Sequence, residues 1–285
     1  MSYSTLLDFT FKGIFIYYLR LKRKIIILGS IIGIFTALAI WLVEDISVNE
    51  VLVSLAMVNK NKTINVIVVP YFDPKDPQWN EIYQIAEEYP STIKYVVINP
   101  CSGPCGNTLS DDWKNIISVL KSKKIITLGY IFDSSESFSN IDYYMKASTP
   151  TDGIFFDNEG SKDNLNKFGQ FADYVHALGG MVYINPGYNY PQVANYIKSG
   201  TVDVANIHEL EYDKSHHILV NEQLPAEKLS VILGNVTSTS EMEEKLREIA
   251  SKGIGTIYIY GNSYNSLPTF FTEEIRQASM TTIKN

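Results

Sequence analysis

Eight short β-rich runs, each followed by an amphipathic stretch, fill the chain from residue 64 onward, and few folds accept that alternation. The runs are INVIVVP (64–70), TIKYVVI (92–98), KIITLGYI (124–131), DGIFFD (152–157), GMVYINP (180–186), VDVANIH (202–208), KLSVILG (228–234) and GTIYIYG (255–261). Helical patterns such as WNEIYQIAEEY, DDWKNIISVLKSK and TSEMEEKLREIASK stand between them, with a less regular one at 218–226. The strand runs are almost continuously apolar, as strands buried on both faces are, and units of roughly 25–30 residues suit βαβ crossovers. Eight such units predict an α/β fold of the (β/α)8 TIM-barrel type over residues 63–285. An open, doubly wound sheet is the runner-up, but its phosphate-binding turn is missing: the first strand runs into PYFDPKDPQW, and neither GxGxxG nor GxxxxGK[ST] occurs. No cofactor is expected.

The segment before the barrel differs in kind. Residues 25–43 read IIILGSIIGIFTALAIWLV, 19 residues without a charge, close to the ~20 that span a bilayer. Lys12, Arg20, Lys22, Arg23 and Lys24 precede it against Asp8 alone, and Glu44, Asp45 and Glu50 follow it. The basic side is the cytoplasmic one. The run is longer than a signal-peptide core and ends in Trp41-Leu42-Val43 instead of small residues, so it reads as an uncleaved signal anchor. Residues 1–24 are then a cytoplasmic or interfacial segment, 25–43 a single transmembrane helix, and 44–62 a tether to an extracytoplasmic barrel.

Charge divides at the same place. Five bases and one acid give residues 1–43 a charge of +4, so the total of -7 leaves -11 for residues 44–285. A nucleic-acid partner is excluded on that ground, since phosphate neutralisation requires clustered Lys and Arg. Cys101 and Cys105 are the only cysteines. In an exported Gly/Pro-rich loop they suit a small disulfide better than two free thiols, and metal ligation comes third because no His or second Cys pair stands at ligand spacing.

In a barrel the chemistry sits at the C-terminal ends of the strands. Those positions hold Tyr71 and Asp73, Asn99, Tyr130 and Asp133, Asp157, Asn158 and Glu159, Asn185, His208, Glu209 and Glu211, Asn235, and Tyr260 with Asn262. Carboxylates, amides and phenols dominate; there is no Schiff-base lysine and no set of two histidines with a carboxylate for a metal. Such a lining suits a sugar, and paired carboxylates on the fourth and sixth strands suit glycosidic cleavage, where one carboxyl group protonates the leaving oxygen and another attacks or stabilises the oxocarbenium-like centre. Asp111 and Asp112 are read as the N-cap and first turn of a helix, and Trp79 as a core residue.

The words PYFDPKDPQW, VVINPCSGPCGN, LGYIFD, DGIFFDNE, YINPGYN and DVANIHE occur in this order, and over residues 66–212 they resemble the spherulation-specific family 4 proteins, spherulin-4-like glycoside hydrolases. The resemblance implies a secreted or surface-exposed barrel, whose characterised branch is an endo-acting hydrolase of galactosaminogalactan, an α-1,4-linked polymer of galactose and N-acetylgalactosamine. It places the family's strand-four Asp at Asp157 and its strand-six Glu at Glu209. The family Glu beside the Asp falls on Asn158, which can neither donate nor take a proton as a carboxyl group does; Glu159, one residue on, is the substitute. The word INP-x-SGP survives with Cys101 and Cys105 built around it. The expectation is therefore a membrane-anchored glycoside hydrolase with catalytic Asp157, Glu209 and Glu159, and with Tyr71, Asp73, Asn99, Tyr130, Asn158, Asn185 and His208 contacting polysaccharide. A non-catalytic carbohydrate-binding protein on the same barrel is the alternative.

Overall fold

The computed structural model of the chain describes residues 62–132, 137–157, 165–187, 191–211 and 224–284. Residues Asn61–Asn285 form one compact unit. Its eight strands are β1 (Asn65–Val68), β2 (Ile93–Ile98), β3 (Ile126–Phe132), β4 (Gly153–Asp157), β5 (Met181–Asn185), β6 (Val204–Glu211), β7 (Leu229–Gly234) and β8 (Thr256–Ile259). All pair in parallel with their sequence neighbours, and β8 returns to β1 to close the barrel. The helices are α1 (Gln78–Glu88), α2 (Asp111–Ser122), α3 (Phe138–Met145), α4 (Leu165–Ala177), α5 (Pro191–Ser199), α6 (Thr239–Ser251) and α7 (Phe271–Met280).

The apolar runs become the core because every strand is covered twice, by the barrel interior on one face and by helices on the other. Val66, Ile67, Val97, Leu128, Ile154, Val182, Val231 and Ile257 are fully buried. Inside the barrel, Tyr183 meets Tyr95 at 5.6 Å and Phe155 at 5.1 Å between ring centres. On the outside, Gly129 of β3 admits the ring of Tyr144 from α3; a Cβ at 129 would stand 2.3 Å from that ring. Trp79 is core, as expected, packed against Phe72 and Trp113.

Three local expectations change. Ser110, in extended conformation, caps α2 by accepting from the Trp113 N–H, so Asp111 moves into the first turn beside Asp112. Of the helical pattern at 218–226, the described part shows only a 3-10 turn (Ala226–Lys228) before β7; the rest lies outside the described residues. The sixth strand runs to Glu211, beyond the expected 208.

Among the described residues no helix is long and apolar enough to cross a membrane. The run 25–43 and residues 1–61 as a whole lie outside the described residues, so the tether contributes only its last residue, Lys62. There the chain is already pinned: Ile283 donates its N–H to the Lys62 carbonyl, and Thr63 bridges Thr282.

Candidate active site

Four neighbouring strands carry a lateral belt of polar side chains across the barrel. Asp157 of β4 stands in register with Asn185 of β5, and Asn206 of β6 with Ser230 of β7. Asn185 Nδ2 donates to Asp157 Oδ1 at 2.7 Å, Asn206 Nδ2 donates to Asn185 Oδ1 at 2.7 Å, and Ser230 Oγ donates to Asn206 Oδ1 at 3.2 Å. The Tyr183 hydroxyl donates to Ser230 Oγ from the layer of β5 that holds the core rings. Asn185, Asn206 and Ser230 are buried, and each group satisfies the next, which such burial requires.

Glu209 joins this belt through an irregularity in β6. Side chains alternate along a strand, so residues separated by an odd number point to opposite faces. Between Asn206 and Glu209, however, three steps along β6 match only two along β7, from Ser230 to Ile232. The extra residue is a β-bulge. It brings Glu209 onto the face of Asn206, where Glu209 Oε2 accepts from the same Asn185 Nδ2 that serves Asp157. The Glu209 backbone N–H, donating to the Gly187 carbonyl at 2.9 Å, fixes the bulge against the end of β5.

Asn185 is thereby fully used. Its two N–H groups meet two carboxylates, and its carbonyl accepts from Asn206 and, at 3.3 Å, from the Gly187 N–H. Each carboxylate also accepts a phenol on its other oxygen: Tyr130 donates to Asp157 Oδ2, and Tyr264 to Glu209 Oε1 at 2.5 Å. Burial first, and then the adjacent carboxylate charge, push both hydroxyls far above the usual phenol range, so they are held as donors. The order across the mouth is Tyr130, Asp157, Asn185, Glu209, Tyr264.

Tyrosines line the wall beside Glu209. Tyr264 stacks on Tyr260 at 4.1 Å and on Tyr71 at 5.2 Å, and Tyr71 meets Tyr130 edge-on at 5.9 Å. Tyr71 is 36% exposed, and burial of the remainder raises its hydroxyl to about 12. The Tyr260 ring crosses over Gly234, where a Cβ would stand 2.3 Å from it.

The other expected site residues lie as follows. Asp73 is exposed and caps its own turn, accepting from the Lys75 N–H. Asn99 is buried and accepts from the Gly103 N–H at 2.9 Å, holding the loop in which Cys101 and Cys105 are disulfide-bonded with Cα atoms 5.4 Å apart. His208 is half-buried on the bulge. Asn158, Glu159 and Asp133 lie outside the described residues, as does the Glu211 side chain. Four members of the arrangement, Tyr183, Asn206, Ser230 and Tyr264, were not expected: the first three lie inside apolar strand runs, and Tyr264 stands beyond β8 in a loop with no periodic pattern.

A separate cleft of about 590 Å³ lies between the disulfide loop and α3, with Asn107, Asn140 and Tyr143 in its wall. Tyr143 donates to the Cys105 carbonyl at 3.0 Å and ties the loop to that helix. None of the carboxylate pair lines this cleft.

The fold and this mouth define a (β/α)8 barrel with a paired-carboxylate site at the C-terminal ends of β4 and β6. The chain belongs to spherulation-specific family 4, whose sequence profile matches residues 65–278, so the family relationship extends through β7, β8 and α7, past the six strands whose words resemble it. No curated protein sequence matches the chain. Among solved structures, a GH18 chitinase from Pseudoalteromonas aurantia superposes with a TM-score of 0.52 at 12% identity, covering 75% of this chain and 99% of its own. The spore cortex-lytic enzyme SleL of Bacillus cereus does so with a TM-score of 0.50 at 10% identity, covering 79% and 76%. At these identities the likeness is one of fold.

Proposed function

We propose that this protein is a glycoside hydrolase, endo-acting on an amino-sugar polysaccharide of the galactosaminogalactan type, with Asp157 and Glu209 dividing the acid/base and nucleophile roles. The observation that carries the reading is the single amide nitrogen of Asn185 between the two carboxylates. Oxygens bonded to one nitrogen lie within about 6 Å of each other. That favours the close spacing of a retaining pair, roughly 5–5.5 Å, over the 6.5–9.5 Å of an inverting one. In the retaining course one carboxylate attacks the anomeric carbon while the other carboxyl group protonates the departing oxygen. The second group then takes a proton from the water that hydrolyses the glycosyl ester. Tyr71 offers an exposed ring beside the pair on which a sugar face can lie, and Glu159 and Asn158 follow β4 directly.

Residues 25–43 anchor the protein in the membrane with the N-terminus cytoplasmic and the barrel outside, a reading supported by the uncharged run, the basic flank and a disulfide in the barrel. Protease added to intact cells is expected to remove the barrel and spare residues 1–24.

The enzymatic test is release of reducing ends from α-1,4-linked galactosaminogalactan by the full chain in detergent. Release is expected, with Asp157→Asn and Glu209→Gln each reducing it by a factor of 10³ or so, in line with the contribution of a positioned proton-transfer group, about 10²–10⁴. Binding without release by the intact protein favours the second reading, a carbohydrate-binding barrel, which rests on Asn158 at the position of the family Glu.

A further inference from the structure

We infer that Tyr264 is a positioning residue for Glu209: its hydroxyl fixes the orientation of the carboxylate that the bulge turns into the barrel. The inference rests on the hydrolase reading for its consequence in turnover, but its geometry stands independently.

Tyr264 is held from three sides. Its carbonyl accepts from the Tyr71 N–H at 2.9 Å, joining the loop after β8 to the end of β1. A second tie in the same seam runs from the Leu267 N–H to Gln78 Oε1 at 2.6 Å. The ring stacks on Tyr260 at 4.1 Å and on Tyr71 at 5.2 Å, with Tyr258 also stacked at 6.4 Å. A ring so confined has little rotational freedom, and its hydroxyl therefore defines a fixed point in the mouth. Glu209 needs one: a glutamate side chain has three rotatable bonds, and Asn185 restrains only Oε2. With Tyr264 on Oε1, both oxygens are fixed and the carboxylate plane is set before a substrate arrives. Asp157 differs, because it is one bond shorter and stands in register beside Asn185 within the regular sheet.

The hydroxyl donates across the working range, because burial and the charge of Glu209 hold it far above the usual phenol range. Loss of the hydroxyl removes one stabilising donor from the Glu209 carboxylate and leaves the ring stack in place.

The variant that isolates this is Tyr264→Phe in the full-length protein. Expected are a fall in kcat of about 10- to 100-fold, the range of a lost hydrogen bond to a charged group, an unchanged KM, and a displaced pH–rate profile. In the parent protein the Glu209 side chain holds a single rotamer, read from a crystal structure or from side-chain 13C couplings, and in the variant it populates more than one. A pH profile and a Glu209 side chain identical to those of the parent protein overturn the inference, as does a loss confined to KM. If the parent protein turns over no polysaccharide while Glu209 still loses its single rotamer in Tyr264→Phe, the hydrolase reading fails and the positioning role stands. Tyr264→Leu, which removes the ring as well, serves as the control for packing: its melting temperature falls, whereas that of Tyr264→Phe stays near the parent value.

Discussion

Asn206 and Glu209 point into the same barrel interior although three steps separate them along β6, because one extra residue bulges between them. Everything proposed for the mouth depends on that change of parity. In an unbroken strand, Asn206 facing inward puts His208 inward as well and turns Glu209 toward the helices. The bulge is therefore the device that converts a strand-end glutamate into a partner for Asp157.

Deleting His208 tests this device. Removing one residue between Asn206 and Glu209 takes out the bulge and leaves Glu209 two steps from Asn206, on the same inward face. Turnover is therefore expected to survive the deletion at a reduced rate, with the far-UV circular dichroism of the barrel unchanged. Turnover at background in a deletion variant that stays folded contradicts the role given to the bulge.

Asn185 is the second lever. Asn185→Leu removes the donor between two carboxylates and leaves the Asn206 amide without its acceptor. Each lost hydrogen bond to a charged group costs about 1.5–3 kcal/mol, so a destabilisation of several kcal/mol is expected from denaturant titration, with kcat lowered by about 10²-fold or more. Asn185→Asp, similar in shape but a third carboxylate, is expected to do no better.

Gly234 controls the tyrosine wall from behind. A Cβ there would stand 2.3 Å from the Tyr260 ring, which in turn stacks on Tyr264. Gly234→Ala is expected to cost about 1–3 kcal/mol as an overpacked core site and to lower activity through displacement of Tyr264 from Glu209. Thermal melting and turnover measured on one preparation check both effects.

Stability should also depend on pH through a group remote from the mouth. Glu274 of α7 is fully buried; one oxygen accepts from the Ile259 N–H of β8 at 2.8 Å and the other has no partner among the described residues. Burial raises its carboxyl from 4.5 to about 8. The folded protein thus keeps a proton that the unfolded chain releases above about 4.5, so stability from this group falls as pH rises from about 4.5 to 8 and is level beyond. Glu274→Gln, neutral throughout, is expected to remove that slope and to be the more stable protein at pH 8. Parallel slopes for the two proteins in pH-dependent denaturation contradict the assignment.

Most of the barrel was legible because its strands are uninterrupted apolar runs whose order cannot be rearranged by short crossovers. Asp157 and Glu209 were legible as acids at strand ends. Their meeting was not. A bulge leaves no mark in composition here, since Ile207 and His208 are as compatible with a regular strand as with an irregular one. Asn206 was hidden for a related reason: one amide in an apolar run reads as a weak strand position, and only register shows it reaching the neighbouring Asn185. Tyr264 owes its place to tertiary stacking on Tyr71, far away in sequence, and no local pattern encodes such a contact. The helix cap at Ser110 in place of Asp111 is a smaller instance, in which two capping residues stand side by side and backbone geometry decides between them.

A close, retaining Asp157–Glu209 pair fixes the configuration of the first product at the anomeric carbon. Proton NMR of the anomeric region is to be recorded during hydrolysis of α-1,4-linked galactosaminogalactan oligomers by the full-length protein, before mutarotation scrambles the signal. The α-anomer is expected as the first-formed reducing end, absent with Glu209→Gln. A β-anomer formed first contradicts the close pair, and the absence of any reducing end from these oligomers contradicts the assigned substrate class.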